Sequence, residues 1–440
     1  DYHPTLPLEQ SQEAETTPVP KSQVPLLSRL FPSRHSSGAR RTDDNYLSSR
    51  RGFVTIEPPD DVLVSSPSTI GGALVHPDNE SEPSYELVRR IGHGAFSHVW
   101  LARVMKRVGA LVAVKMIARV GEHHDPATRR AARGERASFL REVEVLHYLR
   151  PAHVSLPLLY ASFSVRTHHV LVLEYIAGGE LLDVVNSDEQ HAQLNEKLLQ
   201  RIWRELVSAV EWIHARLVVH RDIKLENILL TTDPFTAVPV EDKPLVKLTD
   251  FGLARKIDPD EPWLSTRCGS ESYAAPELLV AAHTDEQALP ALSRAPSDAH
   301  GSATTAGSQP KSRTGARMPG TYDGRETDAW ALGVVLFALV TRSLPFDSSP
   351  PPADVEAERA RRKWVLRVVR GEWSWPEMSA DGASAAENHG EPQLELRGTA
   401  LVHIAAVRNL VARLLVSDPN RRARVSTLWD EPWMRYMQAP

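Results

Sequence analysis

The sequence has little of several features that mark particular protein classes. Its 440 residues include a single cysteine, Cys268, so an internal disulfide is excluded and a structural zinc site is implausible. A reducing compartment is therefore expected, the cytoplasm first and the nucleus as an alternative. The longest apolar run, residues 329–340, is too short to cross a bilayer, so we predict a buried helix and no membrane span. The first residues contain no apolar stretch typical of a secretory signal.

Charge of one sign is not in large excess either. The formal net charge is −5, from 51 basic and 56 acidic residues. Nucleic acid is therefore not an expected partner, because dedicated nucleic-acid-binding proteins are usually basic. Apolar residues make up 42% of the chain and charged residues 24%, as in ordinary globular proteins, and the length is enough for one large or two ordinary domains.

The chain divides into an unpatterned leader and a patterned remainder. Residues 1–84 are rich in Pro, Ser and charge without a helical or strand period, which predicts a disordered leader. Beyond it, short strand-like segments come first and long amphipathic helices follow. We therefore predict a strand-rich part at about 85–176, a helix-rich part at about 177–433, and a cleft at the hinge Ala177-Gly178-Gly179.

Individual elements follow from local periodicity. Alternation predicts strands at Tyr85–Ile91, Ser97–Val104, Leu111–Ile117 and Val170–Tyr175, with a helix at Ala137–Leu149. Spacings of three and four predict a helix with one apolar face, formed by Leu198, Ile202, Leu206, Val210 and Ile213. Segments without periodicity are predicted to be surface insertions, with disorder favoured, near 232–243, 281–320 and 379–392.

The most informative segment runs from Val219 to Asn227 and reads Val-His-Arg-Asp-Ile-Lys-Leu-Glu-Asn. It holds an acid, an amine and an amide between two apolar runs. Apolar flanks predict short buried strands or turns that fix the polar residues in place, which favours a catalytic role. The alternative is a solvated loop that happens to be charged.

Other segments carry matching chemistry, although each has a plain structural alternative. The glycines of Ile91-Gly92-His93-Gly94 let backbone N–H groups approach a polyphosphate, but a glycine-rich hairpin turn is common. Lys115 ends an apolar strand and needs a partner for its charge, for which Glu142 is the candidate; the alternative is a lysine that reaches solvent from an edge strand. Asp250-Phe251-Gly252 follows another apolar run, and Ala275-Pro276-Glu277 comes later in the chain. Taken alone, Asp250-Phe251-Gly252 could be an ordinary turn.

Taken in order, these segments resemble the catalytic domain of eukaryotic protein kinases. The resemblance covers Tyr85 to Trp433 and implies an α+β, bilobal fold with a small β-rich N-lobe and a larger α-helical C-lobe. It departs from the usual pattern where Ser97 replaces the third glycine of the phosphate loop. Insertions rich in Arg and Ala are similar to those of some fungal kinases.

The resemblance implies roles for the matching positions. Asp222 is expected to be the catalytic base, and Lys224 to neutralise the transferring γ-phosphoryl group, as in serine/threonine kinases. Lys115, paired with Glu142, is expected to contact the phosphates of ATP. The magnesium ligands are expected to be Asn227 and Asp250.

The nucleotide site follows in the same way. The phosphate loop is expected at Ile91, Gly92, His93, Gly94, Ala95, Phe96 and Ser97. The backbones of Glu174 and Ile176 are expected to hydrogen-bond adenine, with Leu173 as gatekeeper behind it. Val99, Ala113 and Leu229 are expected to sandwich the base, and Glu180 to lie near the ribose or a basic substrate residue.

Further matches imply structural and regulatory roles. Asp328 is expected to anchor the catalytic loop, Glu277 to pair with Arg422, and His220, Phe251 and Leu146 to form a hydrophobic column. Residues 264–273 resemble the activation segment of the calcium/calmodulin-dependent and AMP-activated kinase group. Thr266 is therefore expected to be phosphorylated by an upstream kinase and to bind Arg221, although it could be an ordinary loop threonine.

The resulting prediction is a serine/threonine protein kinase that uses ATP and Mg²⁺ on protein substrates. Glu180 and Glu226 suggest a preference for arginine upstream of the acceptor. The main rival is a pseudokinase or scaffold that uses the fold as a binding module, but Lys115, Asp222, Asn227 and Asp250 are all present. A nucleotide-binding protein of another fold would leave the Ala-Pro-Glu and Asp328 matches unexplained.

Overall fold

The computed structural model describes residues 73–74, 85–93, 97–105, 109–119, 125–236, 239–283, 320–346, 355–376 and 395–435. The predicted leader at 1–84, apart from 73–74, lies outside these ranges. So do the predicted insertion at 379–392 and most of the one at 281–320.

The first part of the described chain is an antiparallel sheet with one long helix against it. Its strands are β1 (Ala73–Leu74), β2 (Tyr85–His93), β3 (Ser97–Val104), β4 (Leu111–Ala118), β5 (Leu159–Ser164) and β6 (His168–Glu174), in the spatial order β1-β2-β3-β4-β6-β5. The helix α1 (Pro126–Tyr148) lies between β4 and β5 in the chain. Neighbouring strands all run antiparallel, so hairpins build most of the sheet.

Helix α1 begins earlier than the predicted Ala137. The side chain of Asp125 accepts hydrogen bonds from the N–H groups of Ala127 and Thr128, and Pro126 occupies the first turn. This is a strong N-terminal cap. The first turns carry many arginines and little apolar periodicity, which is why the pattern did not reveal them. The face towards the sheet buries Phe139, Glu142, Val145 and Leu146.

The second part is mainly helical. Its helices are α2 (Leu181–Asn186), α3 (Asp188–Gln193), α4 (Glu196–Ala215), α5 (Pro276–His283), α6 (Gly324–Thr341), α7 (Val355–Arg370), α8 (Ala405–Leu414) and α9 (Pro432–Arg435). Short strands form three antiparallel pairs: β7 (Val218–Val219) with β10 (Arg255–Lys256), β8 (Ile228–Leu230) with β9 (Val246–Leu248), and β11 (Trp263–Leu264) with β12 (Tyr322–Asp323). A sheet-rich part followed by a helical part confirms the predicted α+β arrangement.

The helical core forms around α4 and α6. On α4 the predicted face is buried at Ile202, Leu206, Val210 and Ile213, whereas Leu199 rather than Leu198 is fully buried at its start. Helix α6 is buried along residues 329–340, as the apolar run predicted. In the described part of the chain, no helix combines the length and apolar character that a membrane span requires.

The last described helix returns to the start of α4. The indole Nε1 of Trp433 donates to Glu196 Oε1 at 2.9 Å, and the Gln200 side chain donates to the Trp433 carbonyl. These contacts join residues more than two hundred positions apart in sequence. The whole helical part therefore shares one core, which extends from Ile117 to Met434.

The hinge is fastened directly to β8. Gly178 N–H donates to the Leu230 carbonyl at 2.8 Å, and Leu230 N–H donates to the Gly179 carbonyl at 2.9 Å. A Cβ on Gly178 would lie 2.6 Å from that Leu230 oxygen, and Gly179 has a φ of +86°. Both positions therefore require glycine.

The end of the predicted insertion at 232–243 is attached to helix α4. Arg201 on α4 donates to the carbonyls of Val240 and Lys243 at 2.7 and 2.6 Å. Glu205, which also pairs with Arg201, accepts the N–H groups of Leu245 and Val246 at 2.6 and 2.9 Å. The described residues 239–243 are thus bonded to α4 next to the start of β9.

Candidate active site

Lys115 lies at the centre of the cleft-facing side of β4. Residues alternate along this strand, so Val112, Val114 and Met116 are buried while Ala113 and Lys115 are only partly buried. The Lys115 Nζ atom lies 2.7 Å from Glu142 Oε2 and 3.1 Å from Asp250 Oδ1. Burial alone would lower the pKa of Lys115, but the two carboxylates outweigh it and raise the pKa. The amine is therefore a fixed cation that can bind an anionic ligand.

Asp250 follows β9 with its carboxylate open to the cleft. Its side chain is 47% exposed, and the charge of Lys115 lowers its pKa to about 2 although burial opposes the shift. The backbone has a φ of +64°, a left-handed conformation that costs free energy in a non-glycine residue. Next to it, Phe251 is fully buried and the Gly252 carbonyl accepts from Arg141 Nε at 3.1 Å. These contacts hold an anionic carboxylate beside the lysine.

The loop between β7 and β8 is anchored by Asp328 of α6. The Asp328 carboxylate accepts the N–H groups of His220 and Arg221, both at 2.8 Å, and the Nε2 atom of His214 at 2.9 Å. Burial raises the pKa of Asp328, but the hydrogen bonds from the His214 side chain and the His220 backbone outweigh it and lower the pKa overall. These bonds hold Arg221 in a left-handed conformation, with a φ of +66°.

Asp222 is the most extensively bonded carboxylate of the site. Its Oδ2 lies 3.0 Å from Lys224 Nζ and accepts from Asn227 Nδ2 at 3.1 Å. Its Oδ1 accepts both the N–H and the hydroxyl of Ser270 at 3.0 Å. Lys224 Nζ also donates to Ser270 Oγ at 2.9 Å. The Asp222 carboxylate, the Lys224 amine and the Ser270 hydroxyl thus contact one another. A substrate hydroxyl placed beside them could be oriented by the carboxylate, which could also accept its proton.

Asn227 and Asp250 are joined through Thr249. The Thr249 N–H donates to the Asn227 carbonyl at 2.8 Å, and Asp250 is the next residue. Because Asn227 Nδ2 is committed to the backbone and carboxylate of Asp222, its side-chain oxygen is the atom that can bind a cation. Among the described residues, no cluster of three or more His, Cys, Asp or Glu side chains could hold a metal. One carboxylate and one amide suit Mg²⁺, which commonly completes its ligands with phosphates and water.

The predicted adenine contacts lie around the hinge. Ala113 is opposite Leu173 and Val112 is opposite Glu174 in the β4–β6 register. Glu180 and Leu229 form a β-bridge below them. The residues expected to form the nucleotide site around the base and ribose are all partly buried, as residues lining a cleft are: Val99, Ala113, Leu173, Glu174, Ile176, Glu180 and Leu229.

Only part of the predicted phosphate loop is described. Gly92 lies opposite Val99 in the β2–β3 register, and a Cβ on Gly92 would lie 3.4 Å from the Val99 Cβ. Ile91 and His93 end β2, and Ser97 begins β3. The predicted residues Gly94, Ala95 and Phe96 lie outside the described residues. The described flanks form a hairpin above Lys115.

Two of the three residues expected to form the hydrophobic column, His220 and Phe251, are in direct contact. The rings of His220 and Phe251 meet edge to face with centroids 4.8 Å apart. Leu146 of α1 is buried in the same core as Phe251. Burial lowers the pKa of His220, so the imidazole is neutral where it packs.

Arg221 contacts the segment that carries Thr266. Its Nη1 donates to the Thr266 carbonyl at 3.2 Å and to the Tyr322 hydroxyl at 3.1 Å, and that hydroxyl donates to the same carbonyl at 2.7 Å. The Thr266 side chain is exposed. Burial and then the nearby charges of Arg255 and Arg221 lower the pKa of Arg141. Arg141 and Arg221 donate to the neighbouring carbonyls of Gly252 and Leu253, shortly before Arg255 in the chain, so these three arginines lie near one another.

Two further contacts fix the ends of the segment. Gly269 has a φ of +96°, and a Cβ there would lie 2.4 Å from the Arg221 carbonyl oxygen. Glu277 and Arg422 form a buried bidentate pair at 2.7 and 3.0 Å, as expected. Cys268 is partly buried, and burial raises the pKa of its thiol, which disfavours the reactive thiolate.

Sequence reasoning did not find several residues that shape the site. Ser270 hydrogen-bonds both Asp222 and Lys224, and the Tyr322 hydroxyl donates to the Thr266 carbonyl. No local sequence pattern marks Tyr322, which follows the long segment 284–319. Arg141 precedes Glu142, and Arg255 follows Asp-Phe-Gly by three residues, so only their proximity to known segments could have suggested them. Lys247 is a buried lysine in β9 whose ion-pair partner is Glu174, the last residue of β6.

Comparisons with known proteins agree with this geometry. Residues 85–289 match the family model described as "Protein kinase domain". The chain is 28% identical over 362 residues to "Sucrose non-fermenting protein kinase 1" of Fusarium virguliforme, covering 81% of this chain and 38% of that protein. It is 31% identical over 354 residues to "CBL-interacting protein kinase 4" of Oryza sativa subsp. japonica, covering 80% and 58%.

A third relative is a "Probable serine/threonine-protein kinase KIN1 homolog" of Encephalitozoon cuniculi (strain GB-M1). It is 34% identical over 283 residues, which cover 63% of this chain and 38% of that protein. The chain thus spans between 38% and 58% of the length of these three curated relatives.

Proposed function

We propose that the protein kinase domain of this chain is an active serine/threonine kinase that transfers the γ-phosphoryl group of ATP to protein hydroxyls. The observation that carries this proposal is the pair of linked ionic groups in the cleft. Lys115 joins Glu142 and Asp250, and Asp222 joins Lys224 and Asn227. The names of the relatives support a kinase rather than a pseudokinase.

In this proposal each group has one task. Asp222 orients the acceptor hydroxyl and accepts its proton, while Lys224 balances charge on the transferring phosphoryl group. Lys115 binds the phosphates, and Glu142 and Asp250 hold it in place. Asp250 and the side-chain oxygen of Asn227 would hold Mg²⁺, which neutralises phosphate charge when bound.

The proposed base is tested by Asp222→Asn. The substitution keeps the shape but removes the proton acceptor, so kcat should fall roughly 10³-fold or more. The measurement is phosphate transfer to a general protein substrate, with Asp260→Asn, an exposed aspartate, as the control. Equal rates in wild type and Asp222→Asn would favour a scaffold instead.

We also infer that phosphorylation of Thr266 by an upstream kinase activates the enzyme. A phosphate on this exposed side chain would lie beside Arg221, whose guanidinium already reaches the Thr266 backbone, with Arg141 and Arg255 close by. Charge-assisted pairs there would order the segment that carries Ser270. Thr266→Ala should therefore resist activation, whereas the neighbouring Ser265→Ala should not. Equal turnover of Thr266-phosphorylated wild type and Thr266→Ala would contradict this.

The substrate preference and the extent of the domain are further parts of the proposal. Glu180 and Glu226 favour substrates with arginine upstream of the acceptor, and a peptide library that shows no such preference would remove this part. The contact between Trp433 and Glu196 supports a kinase domain that reaches residue 433. The single cysteine favours a reducing compartment, the cytoplasm first and the nucleus second.

A further inference from the structure

Lys247 is a buried amine in the strand that leads to Asp250. Its side chain is only 8% exposed. The Nζ atom lies 2.8 Å from Glu174 Oε2 and donates to the Leu156 carbonyl at 3.0 Å. A buried ammonium is costly unless it is paired and hydrogen-bonded, so these two contacts keep the lysine inside.

Its partner, Glu174, is the last residue of β6 and leads into the hinge at 177–179. The Glu174 N–H donates to the Leu158 carbonyl at 2.9 Å, and the Leu158 N–H donates back to the Glu174 carboxylate at 3.2 Å. The side chain is 24% exposed and thus has a route to water. The Glu174 carboxylate therefore links the end of β6 to Leu158, just before β5, and to Lys247 on β9.

We propose that Lys247 is a positioning residue for nucleotide binding, because its ion pair with Glu174 sets where the hinge backbone lies relative to β9. This inference rests on the proposed function, from which adenine is taken as the ligand of the hinge. The Glu174 backbone is a predicted adenine contact, and the Glu174 side chain forms an ion pair with Lys247. Lys247 is the only charged residue between Leu245 and Leu248, so no neighbour in β9 can replace it.

The effect on kinetics follows from the kind of contact. Adenine is held equally in the ground state and in the transition state, so a displaced hinge weakens binding without slowing transfer. Without Lys247, the Glu174 carboxylate can turn to water, while the backbone bonds to Leu158 and the β4–β6 pairing still hold the hinge in part. We therefore expect a limited loss of affinity, roughly tenfold.

The test uses Lys247→Met, which keeps the apolar stem and removes the amine. Lys243→Met, an exposed lysine on the preceding turn, is the matched control. The primary measurement is the dissociation constant of adenosine by calorimetry, since adenosine has no phosphates for Lys115 or a metal to bind. The Kd for adenosine and the KM for ATP should each rise roughly tenfold, with kcat within about threefold of wild type, and the control should match wild type.

A second variant covers the case in which Lys247→Met does not fold. Glu174→Gln keeps a hydrogen-bond acceptor but loses the charge, so adenosine affinity should fall by about threefold. The double variant should bind adenosine as Lys247→Met alone does, because both changes remove the same contact.

Several outcomes would overturn the inference. Unchanged adenosine affinity in both single variants would show that the ion pair does not affect nucleotide binding. A fall in kcat at constant KM would show that the loss of Lys247 acts through Asp250 instead. An equal loss in Lys243→Met would also overturn it. Absence of phosphate transfer in the wild type would instead defeat the proposed function, and the adenosine measurements would still decide the role of Lys247.

Discussion

Asp328→Asn should both destabilise the protein and slow it, because this carboxylate holds the backbone of the catalytic loop. The side chain is 1% exposed and accepts three hydrogen bonds, from the N–H groups of His220 and Arg221 and from His214. Asparagine offers one oxygen. Even in its better orientation, its amide group faces the Arg221 N–H, so one bond to a charged acceptor is lost and a buried N–H is left unpaired.

The magnitude follows from that loss. A hydrogen bond to a charged group contributes about 1.5–3 kcal/mol, and the unpaired N–H keeps its desolvation cost, so we expect a loss of about 3 kcal/mol in the free energy of unfolding. Arg221, held at a φ of +66°, is then free to relax and Asp222 moves with it. A displacement of about 1 Å at a catalytic group lowers kcat by up to ~100-fold, and we expect at least ~10-fold.

Urea denaturation and saturating kinetics measure the two effects. The control is Asp258→Asn, an exposed aspartate whose side-chain oxygen accepts the Asp260 N–H, as the oxygen of asparagine also can. It changes the net charge equally but should cost less than about 1 kcal/mol. If Asp328→Asn costs no more than this control and leaves kcat unchanged, the anchoring role assigned to Asp328 is wrong.

Two other substitutions test separate features. Gly269→Ala should lower kcat by roughly 100-fold at unchanged adenosine affinity, because the new Cβ would clash with the Arg221 carbonyl and displace Ser270 from Asp222. The control is Gly109→Ala, which should leave kcat unaffected, since Gly109 also has a positive φ, +78°, but has open space around it. The free energy of unfolding of wild type should fall as the pH drops below about 6.5, because burial lowers the pKa of His191 to about 4 and the unfolded chain binds the proton first. Between pH 7 and 5 this one residue contributes about 2 kcal/mol of that loss. His191→Gln should reduce the loss of unfolding free energy between pH 7 and 5 by that amount. The control is His403→Gln, at an exposed histidine. An equal pH dependence of stability in the two variants would contradict the reasoning.

Much of the site could be predicted because its polar residues follow apolar runs. Asp250 comes at the end of such a run and Asp222 lies between two, so burial of the runs fixes where the carboxylates lie. The fold class followed from the same change in period, from strands to helices. The contact between Lys115 and Glu142 came from the resemblance, since nothing local links residues 27 positions apart.

What could not be predicted depends on distant partners. Alternation in Val246-Lys247-Leu248 gives no sign that Lys247 is buried, because its partner Glu174 lies 73 positions earlier. Strand β5 was missed since its sequence mixes small polar residues with apolar ones. The early start of α1 depended on the cap at Asp125 rather than on periodicity. Local pattern locates elements, whereas tertiary contacts decide their ends and their charged neighbours.

The contact between the last helix and α4 has a consequence for how the chain folds during synthesis. Trp433 and Glu196 are 237 positions apart, and the buried pair of Glu277 and Arg422 spans 145. Long loops must close before such contacts form, which slows folding and leaves apolar surface exposed meanwhile. A nascent chain that has emerged only to residue 289, the end of the family match, lacks α6 altogether and leaves the apolar face of α4 uncovered. The helical part therefore completes its core only once residue 433 has emerged, and until then it is a natural client for chaperones.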